Sequence, residues 1–180
     1  MKKAIIIGAS SGIGHQLATI LVRKGYKVGI TGRRAKELEN LKAIDPDNFI
    51  CSCFDCIKDN NTVKLDELAS KMGGLDLLVF CSGTGDLNNN LKIEIENNTN
   101  QLNVIAFAEI AVWSFNFFER QDMGHFVAIS SIAGIRGSKI APAYNASKAY
   151  QINYLEGLRQ KAKRINKPVF VTDIRPGFVD

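Results

Sequence analysis

The sequence predicts an α/β fold: a Rossmann-like, doubly wound parallel sheet in a three-layer α/β/α arrangement. Apolar runs of strand length alternate with helical stretches along the chain, which is typical of strands joined by crossover helices. These strand runs are continuously apolar, so we expect a sheet that is buried on both faces. A glycine-rich turn follows the first run directly. Together these observations predict a single domain over residues 1–180.

The order of elements follows from this alternation. The strand candidates are residues 3–7, 27–31, 49–54, 75–80, 125–130 and 168–174. The helix candidates are residues 12–24, 35–43, 60–71, 98–121 and 142–165. Segment 84–100 is rich in asparagine, and we expect it to form a surface loop that leads into the fourth crossover helix.

Composition and charge argue against several classes of protein. No apolar run approaches the ~20 residues that span a bilayer, and the first apolar run breaks at once into a glycine turn, unlike a signal peptide. The net charge is a modest +5, and no aromatic residues interleave with the densest basic run, residues 159–167. Neither nucleic acid nor a membrane is therefore expected as a partner. We expect a cytoplasmic protein.

The four cysteines are expected to be reduced, because no secretory signal precedes them. Cys51, Cys53 and Cys56 suggest zinc at first sight. However, Cys51 and Cys53 alternate within a strand, and the only histidines, His15 and His125, lie far away in sequence. We therefore predict small buried side chains and no metal site.

The glycine-rich turn at residues 8–14 reads Gly-Ala-Ser-Ser-Gly-Ile-Gly. Glycines at such a turn allow a pyrophosphate to approach the backbone, and the free amides of a helix start attract the anion. Between a strand and a helix, this pattern predicts dinucleotide binding. The residues expected at this site are Gly8, Ser10, Ser11, Gly12, Ile13 and Gly14.

The end of the second strand indicates which dinucleotide binds. An acidic residue there would pair with the ribose 2′-hydroxyl, whereas an arginine accommodates a 2′-phosphate. Here Arg33 and Arg34 follow the strand, and no carboxylate appears until Glu37. We predict NADP(H) in preference to NAD(H), read mainly by Arg33. Arg34 is the second candidate, because its side chain can also point to solvent.

Tyr144 and Lys148 are four positions apart, so on a helix they share one face. A phenol ionises near pH ~10 and is a poor acid or base at neutral pH unless a neighbouring charge stabilises the phenolate. Ser131 ends a strand, thirteen positions before the tyrosine. Alone, the tyrosine and lysine could be a half-buried ring beside a solvated ammonium. With the serine they are the groups needed to move a proton on or off a carbonyl or alcohol oxygen.

With these motifs in order, the chain resembles the short-chain dehydrogenase/reductase family along its whole length. The family's nucleotide turn falls on the glycines described above, and its catalytic serine, tyrosine and lysine match Ser131, Tyr144 and Lys148. A catalytic asparagine matches Asn103, which by resemblance would hold a water connecting Lys148 to solvent.

The resemblance implies further contacts with the cofactor. Asp55 would face the adenine, and Gly83 would let the ribose approach. Pro176, Gly177 and Val179 would border the nicotinamide, and Tyr144 and Lys148 would also contact the cofactor.

Three departures from the family are visible. Ile7 stands where threonine is usual, and residues 80–83 read Phe-Cys-Ser-Gly instead of Asn-Asn-Ala-Gly. The third is length, since family members continue beyond the position of Asp180 with a seventh strand and a substrate lid. We therefore expect that the natural protein is longer and that residues 1–180 lack the C-terminal substrate-binding segment.

The resemblance implies an NADPH-dependent oxidoreductase acting on a small-molecule carbonyl or alcohol. The alternative from another class is a dinucleotide-binding sensor or scaffold without chemistry. Two long helices carry many apolar residues, and family members pair such helices across a two-fold axis, so a homodimer or homotetramer is expected. The apolar residues on which this rests are Phe107, Trp113, Phe117, Phe118, Ile152 and Leu155.

Overall fold

The computed structural model describes residues 1–177, and within them one six-stranded sheet carries helices on both faces. The strands are β1 (Lys3–Ile7), β2 (Lys27–Gly32), β3 (Phe49–Cys53), β4 (Leu77–Phe80), β5 (Gly124–Ile129) and β6 (Val169–Ile174). They are parallel, in the order β3-β2-β1-β4-β5-β6. The order reverses direction between β1 and β4, which leaves a crevice at the carboxyl ends of these two strands. The predicted fold class is confirmed.

Helices connect the strands. They are α1 (Gly12–Arg23), α2 (Ala35–Lys42), α3 (Asn61–Met72), α4 (Ile93–Asn100), α5 (Phe107–Arg120) and α6 (Pro142–Arg164). A π-helical turn, Gln101–Ala106, joins α4 to α5, and a short 3₁₀ turn, Ile132–Ile135, follows β5. The strand bounds predicted from the sequence differ from these by at most two residues.

The central strand β1 supplies the cores on both faces of the sheet. Side chains of a strand point alternately to its two faces; Ile5 and Ile7 pack with α3, α5 and α6, while Ala4 and Ile6 pack with α1 and α2. All four side chains are fully buried. This double burial explains why the strand sequence is continuously apolar.

Segment 84–100 corrects the sequence prediction, because the fourth crossover helix begins at Ile93 and not at residue 98. The reason is the buried side chain of Asn88. Its amide donates to the Lys92 carbonyl and the Glu96 carboxylate, and its oxygen accepts from the Lys92 amide. A composition typical of loops therefore conceals a helix start that is held by local side-chain hydrogen bonds of a buried asparagine.

The run Ile93–Arg120 is long and apolar enough to span a bilayer by length and composition alone, although 56% of its apolar window is buried in the fold. This run corrects the view that no apolar stretch approaches that length. Burial also weakens the sequence argument for association, because Phe107, Phe118 and Leu155 are fully buried within the domain.

The cysteine prediction is wrong in part. Cys51 is half-buried and Cys53 is exposed, whereas Cys56 is buried. The cause is position, since β3 is an edge strand with a neighbouring strand on one side only. Among residues 1–177, no group of three or more His, Cys, Asp or Glu side chains is placed to hold a metal ion.

Candidate active site and nucleotide cleft

The turn between β1 and α1 is fixed by its backbone. The amides of Gly8 and Ala9 both donate to the carbonyl of Thr31 in β2, at 3.1 and 2.8 Å. Gly8 has a φ of 89°, in the left-handed region that favours glycine. These bonds explain how the turn is held where Ile7 replaces the usual hydroxyl residue.

The start of α1 is arranged to receive an anion. A Cβ at Gly14 would lie 2.2 Å from the carbonyl oxygen of Gly8, so the helix approaches the turn more closely than any side chain would permit. The N-cap Ser11 makes no side-chain capping bond, and the first turn of α1 contains no acidic residue. Uncapped amides and the helix dipole at this point fit the phosphates of a dinucleotide.

A cleft of about 1260 Å³ extends from this turn along the carboxyl ends of the strands. The structure brings together around it ten of the residues that the sequence assigned to the cofactor. They are Gly8, Ser10, Ser11, Gly12, Ile13, Gly14, Arg33, Arg34, Asp55 and Gly83.

Arg34 faces the turn. Its guanidinium donates to the hydroxyl of Ser10 at 2.9 Å and to that of Ser11 at 2.6 Å. The sequence favoured Arg33, which also lines the cleft, but Arg34 is the arginine whose position is fixed by hydrogen bonds. Two cations therefore lie at the end of the cleft where β2 terminates.

A second cavity of about 300 Å³ adjoins the cleft and shares Ile13, Cys81 and Gly83 with it. Its lining includes Ser131, Tyr144, Lys148, Pro176 and Gly177. Three of the four predicted catalytic residues thus surround one space beside the nucleotide cleft. Val179, which the sequence also assigned here, lies outside the described residues.

Cys81 replaces an asparagine of the family pattern at the junction of the two cavities. Burial raises the pKa of its thiol to about 12. Cys81 therefore lines the junction as a neutral thiol at physiological pH.

Lys148 is 4% exposed, and its ammonium donates to the carbonyl of Ile129 at 3.1 Å and to Gln151 Oε1 at 3.0 Å. Nζ lies 5.8 Å from the centroid of the Tyr144 ring. Burial lowers the pKa of Lys148 to about 8, against the opposing attraction of Asp173.

Tyr144 is placed by its contact with Gly85 in the segment after β4. A Cβ at Gly85 would lie 2.3 Å from the tyrosine ring, so the ring rests directly on the glycine backbone. Across the cavity, the Ser131 hydroxyl accepts a hydrogen bond from the amide of Ala133 at 3.1 Å. That bond fixes the position of the serine oxygen. Because the serine only accepts in it, its own hydroxyl proton can be donated into the cavity.

Asn103 lies behind the cavity wall, fully buried in the π-helical turn. Its side chain accepts from the amide of Thr84 at 3.0 Å and donates to the Thr84 carbonyl at 2.7 Å. It also donates to Ser147 Oγ at 3.0 Å. Asn103 therefore fastens the segment after β4 to α6, while its own carbonyl accepts from Gln151 Nε2 at 2.8 Å.

Two polar residues beside the site were missed in the sequence. Gln151 is fully buried between Lys148 and Asn103, and the available signal was its spacing of three residues from Lys148, which puts both on one face of α6. The side chain of Asp173 in β6 is 2% exposed; it accepts from Ser130 Oγ and from Arg175 Nε. The signal there was a carboxylate within an apolar strand.

Comparison with known proteins decides the family. The model of the short chain dehydrogenase family matches residues 2–180. The chain belongs to this family. An uncharacterized oxidoreductase of Myxococcus xanthus (strain DK1622) is 33% identical over an alignment of 190 positions that covers 99% of this chain and 72% of that protein. This short-chain dehydrogenase is accordingly an oxidoreductase, as predicted.

Solved structures show the same fold. A short-chain dehydrogenase from Streptomyces avermitilis superimposes with a TM-score of 0.92 at 25% identity, covering 99% of this chain and 66% of that one. The closed form of a serine dehydrogenase complexed with NADP+ gives a TM-score of 0.90 at 24% identity, covering 99% and 73%. This chain thus spans about two thirds to three quarters of the length of these proteins.

Proposed function

We propose that this short-chain dehydrogenase is an NADP-dependent enzyme that interconverts a small carbonyl compound and its alcohol, with Tyr144 as the proton donor and acceptor. The observation that carries the proposal is the cavity lined by Ser131, Tyr144 and Lys148, which opens directly beside the nucleotide cleft. A reacting group placed there would lie between the proton donor and the cofactor.

NADP, when bound, supplies or accepts the hydride, and the protein supplies orientation and electrostatics. The turn at residues 8–14 and the start of α1 would hold the phosphates, and Asp55, which lines the cleft, would face the adenine. Gly83, Pro176 and Gly177 line the small cavity together with Lys148 and would border the nicotinamide.

The residues around the small cavity divide the acid–base work. In reduction, the Tyr144 hydroxyl would give its proton to the carbonyl oxygen as negative charge develops there, and Ser131 would donate a hydrogen bond to the same oxygen. The Lys148 ammonium stabilises the phenolate that remains. Asn103 contributes by fixing the segment from Gly83 to Gly85, against which the tyrosine ring rests.

Preference for NADP rests on the end of β2. Arg33 and Arg34 line the cleft there, and no carboxylate occupies the strand end to pair with a ribose 2′-hydroxyl. Arginine suits a phosphate because its guanidinium donates several hydrogen bonds in a fixed plane. Two solved structures of similar fold, ElxO and the serine dehydrogenase, contain NADP.

The test combines binding with turnover. NADPH and NADH would be titrated into the protein by fluorescence, and a panel of ketones, aldehydes and diketones would then be assayed for NADPH oxidation. Oxidation by the parent that is lost in Tyr144→Phe supports the proposal. Tight NADPH binding with no oxidation of any compound would instead favour a nucleotide sensor.

A further inference from the structure

Gln151 forms a buried connection between Lys148 and Asn103. It lies on α6 three residues after Lys148, and its side chain is fully buried. Its Oε1 accepts from Lys148 Nζ at 3.0 Å, and its Nε2 donates to the carbonyl of Asn103 at 2.8 Å. One neutral side chain thus joins the ammonium beside the cavity to the π-helical turn behind it.

Hydrogen-bond chemistry allows only one orientation of this amide. An ammonium has donors and no acceptor, whereas a backbone carbonyl has only acceptors. If the amide were flipped, its NH₂ group would face the ammonium of Lys148, donor against donor. Its oxygen would face the carbonyl oxygen of Asn103, acceptor against acceptor. The direction of the chain, from Lys148 through Gln151 to Asn103, is therefore fixed by its two ends.

The bridge determines where the ammonium protons point. Lys148 has three N–H groups; the carbonyl of Ile129 takes one and Gln151 takes a second. One N–H remains for the cavity that contains Tyr144. We propose that Gln151 is a positioning residue that holds Lys148 in its charged form and aims its remaining N–H into the cavity.

The other groups facing Lys148 act on its charge in different ways. Asp173 on β6 attracts the ammonium, Cys81 after β4 is protonated at neutral pH, and Tyr144 presents its ring on the same helix. Burial favours the neutral amine of Lys148. The negative charge of Asp173 opposes this effect by electrostatic attraction, without a direct hydrogen bond to the ammonium. Gln151 instead accepts a direct hydrogen bond from the charged form, which stabilises that form.

Gln151 could be no more than a satisfied polar group in the core, and its effect on Lys148 distinguishes the two roles. If the role of Gln151 is only structural, replacing it changes the stability of the fold but leaves the pKa of Lys148 unchanged. A positioning residue shifts that pKa. The shift depends on whether an acceptor for the ammonium is kept.

The experiment titrates Lys148 by NMR in the 180-residue chain without cofactor. Lysine labelled at Cε with ¹³C reports the charge of each ammonium, and the Lys148 signal is assigned by its loss in Lys148→Arg. Gln151→Met keeps the length of the side chain and removes both polar atoms. Gln151→Glu keeps an acceptor oxygen next to Nζ. Gln160→Met makes the same change at an exposed position of α6 and is the matched control.

Gln151→Met is expected to lower the pKa of Lys148 by about one unit, because a hydrogen bond to the charged form is lost. Gln160→Met is expected to leave it unchanged, and Gln151→Glu to keep or raise it. An unchanged pKa in Gln151→Met overturns the proposal, as does an equal fall in Gln151→Glu. If thermal melting shows that Gln151→Met does not fold, Gln151→Glu decides alone, and a fall there overturns the proposal.

The role of this positioning in turnover rests on the proposed function. In an active enzyme, Gln151→Met would also move the alkaline limb of kcat/KM to lower pH. The NMR titration requires neither cofactor nor substrate, so its outcome stands even if no carbonyl compound is reduced. If the proposed function is wrong, the parent protein will be inactive. If this inference is wrong, the pKa of Lys148 will be the same in Gln151→Met as in the parent.

Discussion

Arg34 and Ser11 are joined by a hydrogen bond of 2.6 Å between guanidinium and hydroxyl, which holds a cation from the end of β2 over the glycine turn. We predict that Arg34→Ala weakens NADPH binding by about 1–3 kcal/mol, or roughly 5- to 150-fold in Kd, because charge-assisted hydrogen bonds to a 2′-phosphate are lost. NADH, which lacks that phosphate, should be affected far less. Fluorescence titration with each nucleotide measures the difference.

Arg33→Ala is expected to act in the same direction, since Arg33 lines the same cleft. Arg23→Ala, at the exposed C-terminal end of α1, is the matched control and should bind both nucleotides as the parent does. Equal losses for NADPH and NADH in both cleft variants would show that neither arginine reads a 2′-phosphate.

Tyr144→Phe should lower kcat by orders of magnitude and leave nucleotide binding nearly unchanged, because it removes only the transferable proton. Steady-state rates with an active carbonyl compound and separate NADPH titrations are the measurements. Tyr154→Phe, on the same helix and outside the cavity, provides a control. A kcat equal to that of the parent would end the role assigned to Tyr144.

The titration of Lys148 gives a pH dependence of turnover. Burial lowers the pKa of Lys148 to about 8. Its side chain is therefore a charged ammonium at neutral pH and loses its proton as the pH rises through this value. We predict that kcat/KM for carbonyl reduction falls on the alkaline side with an apparent pKa near 8. A plateau extending to pH 10 would contradict this assignment.

The titration of Lys148 is expected to raise the stability of the fold over the same pH range in which it lowers turnover. The pKa of Lys148 is about 8 in the folded protein, against the ordinary lysine value of 10.5, so the unfolded chain binds more protons between these pH values. The free energy of unfolding contributed by Lys148 therefore rises with pH across that window, by at most on the order of 3 kcal/mol. Relative to Lys148→Met, the parent should gain stability from pH 8 to pH 10 in urea denaturation.

The strands were predictable because burial on both faces leaves continuous apolar runs such as residues 4–7. The helix start at Ile93 was not, because it depends on the burial of Asn88, whose backbone amide donates to the distant carbonyl of Ile140 at 2.7 Å, and no local pattern reveals that packing. The π-helical turn was missed for a similar reason. Its five-residue hydrogen-bond spacing leaves no mark in the sequence that separates it from an ordinary helix.

At the site, the sequence spacing of Tyr144, Lys148 and Ser131 was enough to predict that they act together, and all three line the small cavity. The position of Arg34 could not be read from sequence, since the direction of an exposed arginine depends on the hydroxyls it meets. Asp173 was overlooked because a single polar residue in an apolar strand carries no motif. Gln151 was overlooked because α6 contains many polar residues, and their sequence does not show which of them are buried. The continuation of the natural protein beyond Asp180 stays a prediction.

Gly85→Ala tests how the tyrosine is held. The added Cβ would lie 2.3 Å from the Tyr144 ring, so the ring or the segment after β4 must move. We predict a fall in kcat of at least roughly 10-fold, since small displacements of a reacting group are costly, with little change in NADPH affinity. Gly137→Ala has open space around its Cβ and should behave as the parent. Parent-like kcat in Gly85→Ala would show that this contact does not position the ring.

Association is predicted to use the exposed face of α5 and the π-helical turn. Ile105 is 49% exposed and Val112 is 45% exposed, and their spacing of seven residues places them on one face of the helix. A second copy of the chain would remove both side chains from water. Val112→Glu should therefore reduce a dimer or tetramer to a species near 19.8 kDa in light scattering, because a carboxylate is costly to bury there. Ile44→Glu, at an exposed apolar position after α2, should leave the mass of the assembly unchanged. A parent that is monomeric at high concentration, or a Val112→Glu variant with the parent's mass, would place any interface elsewhere.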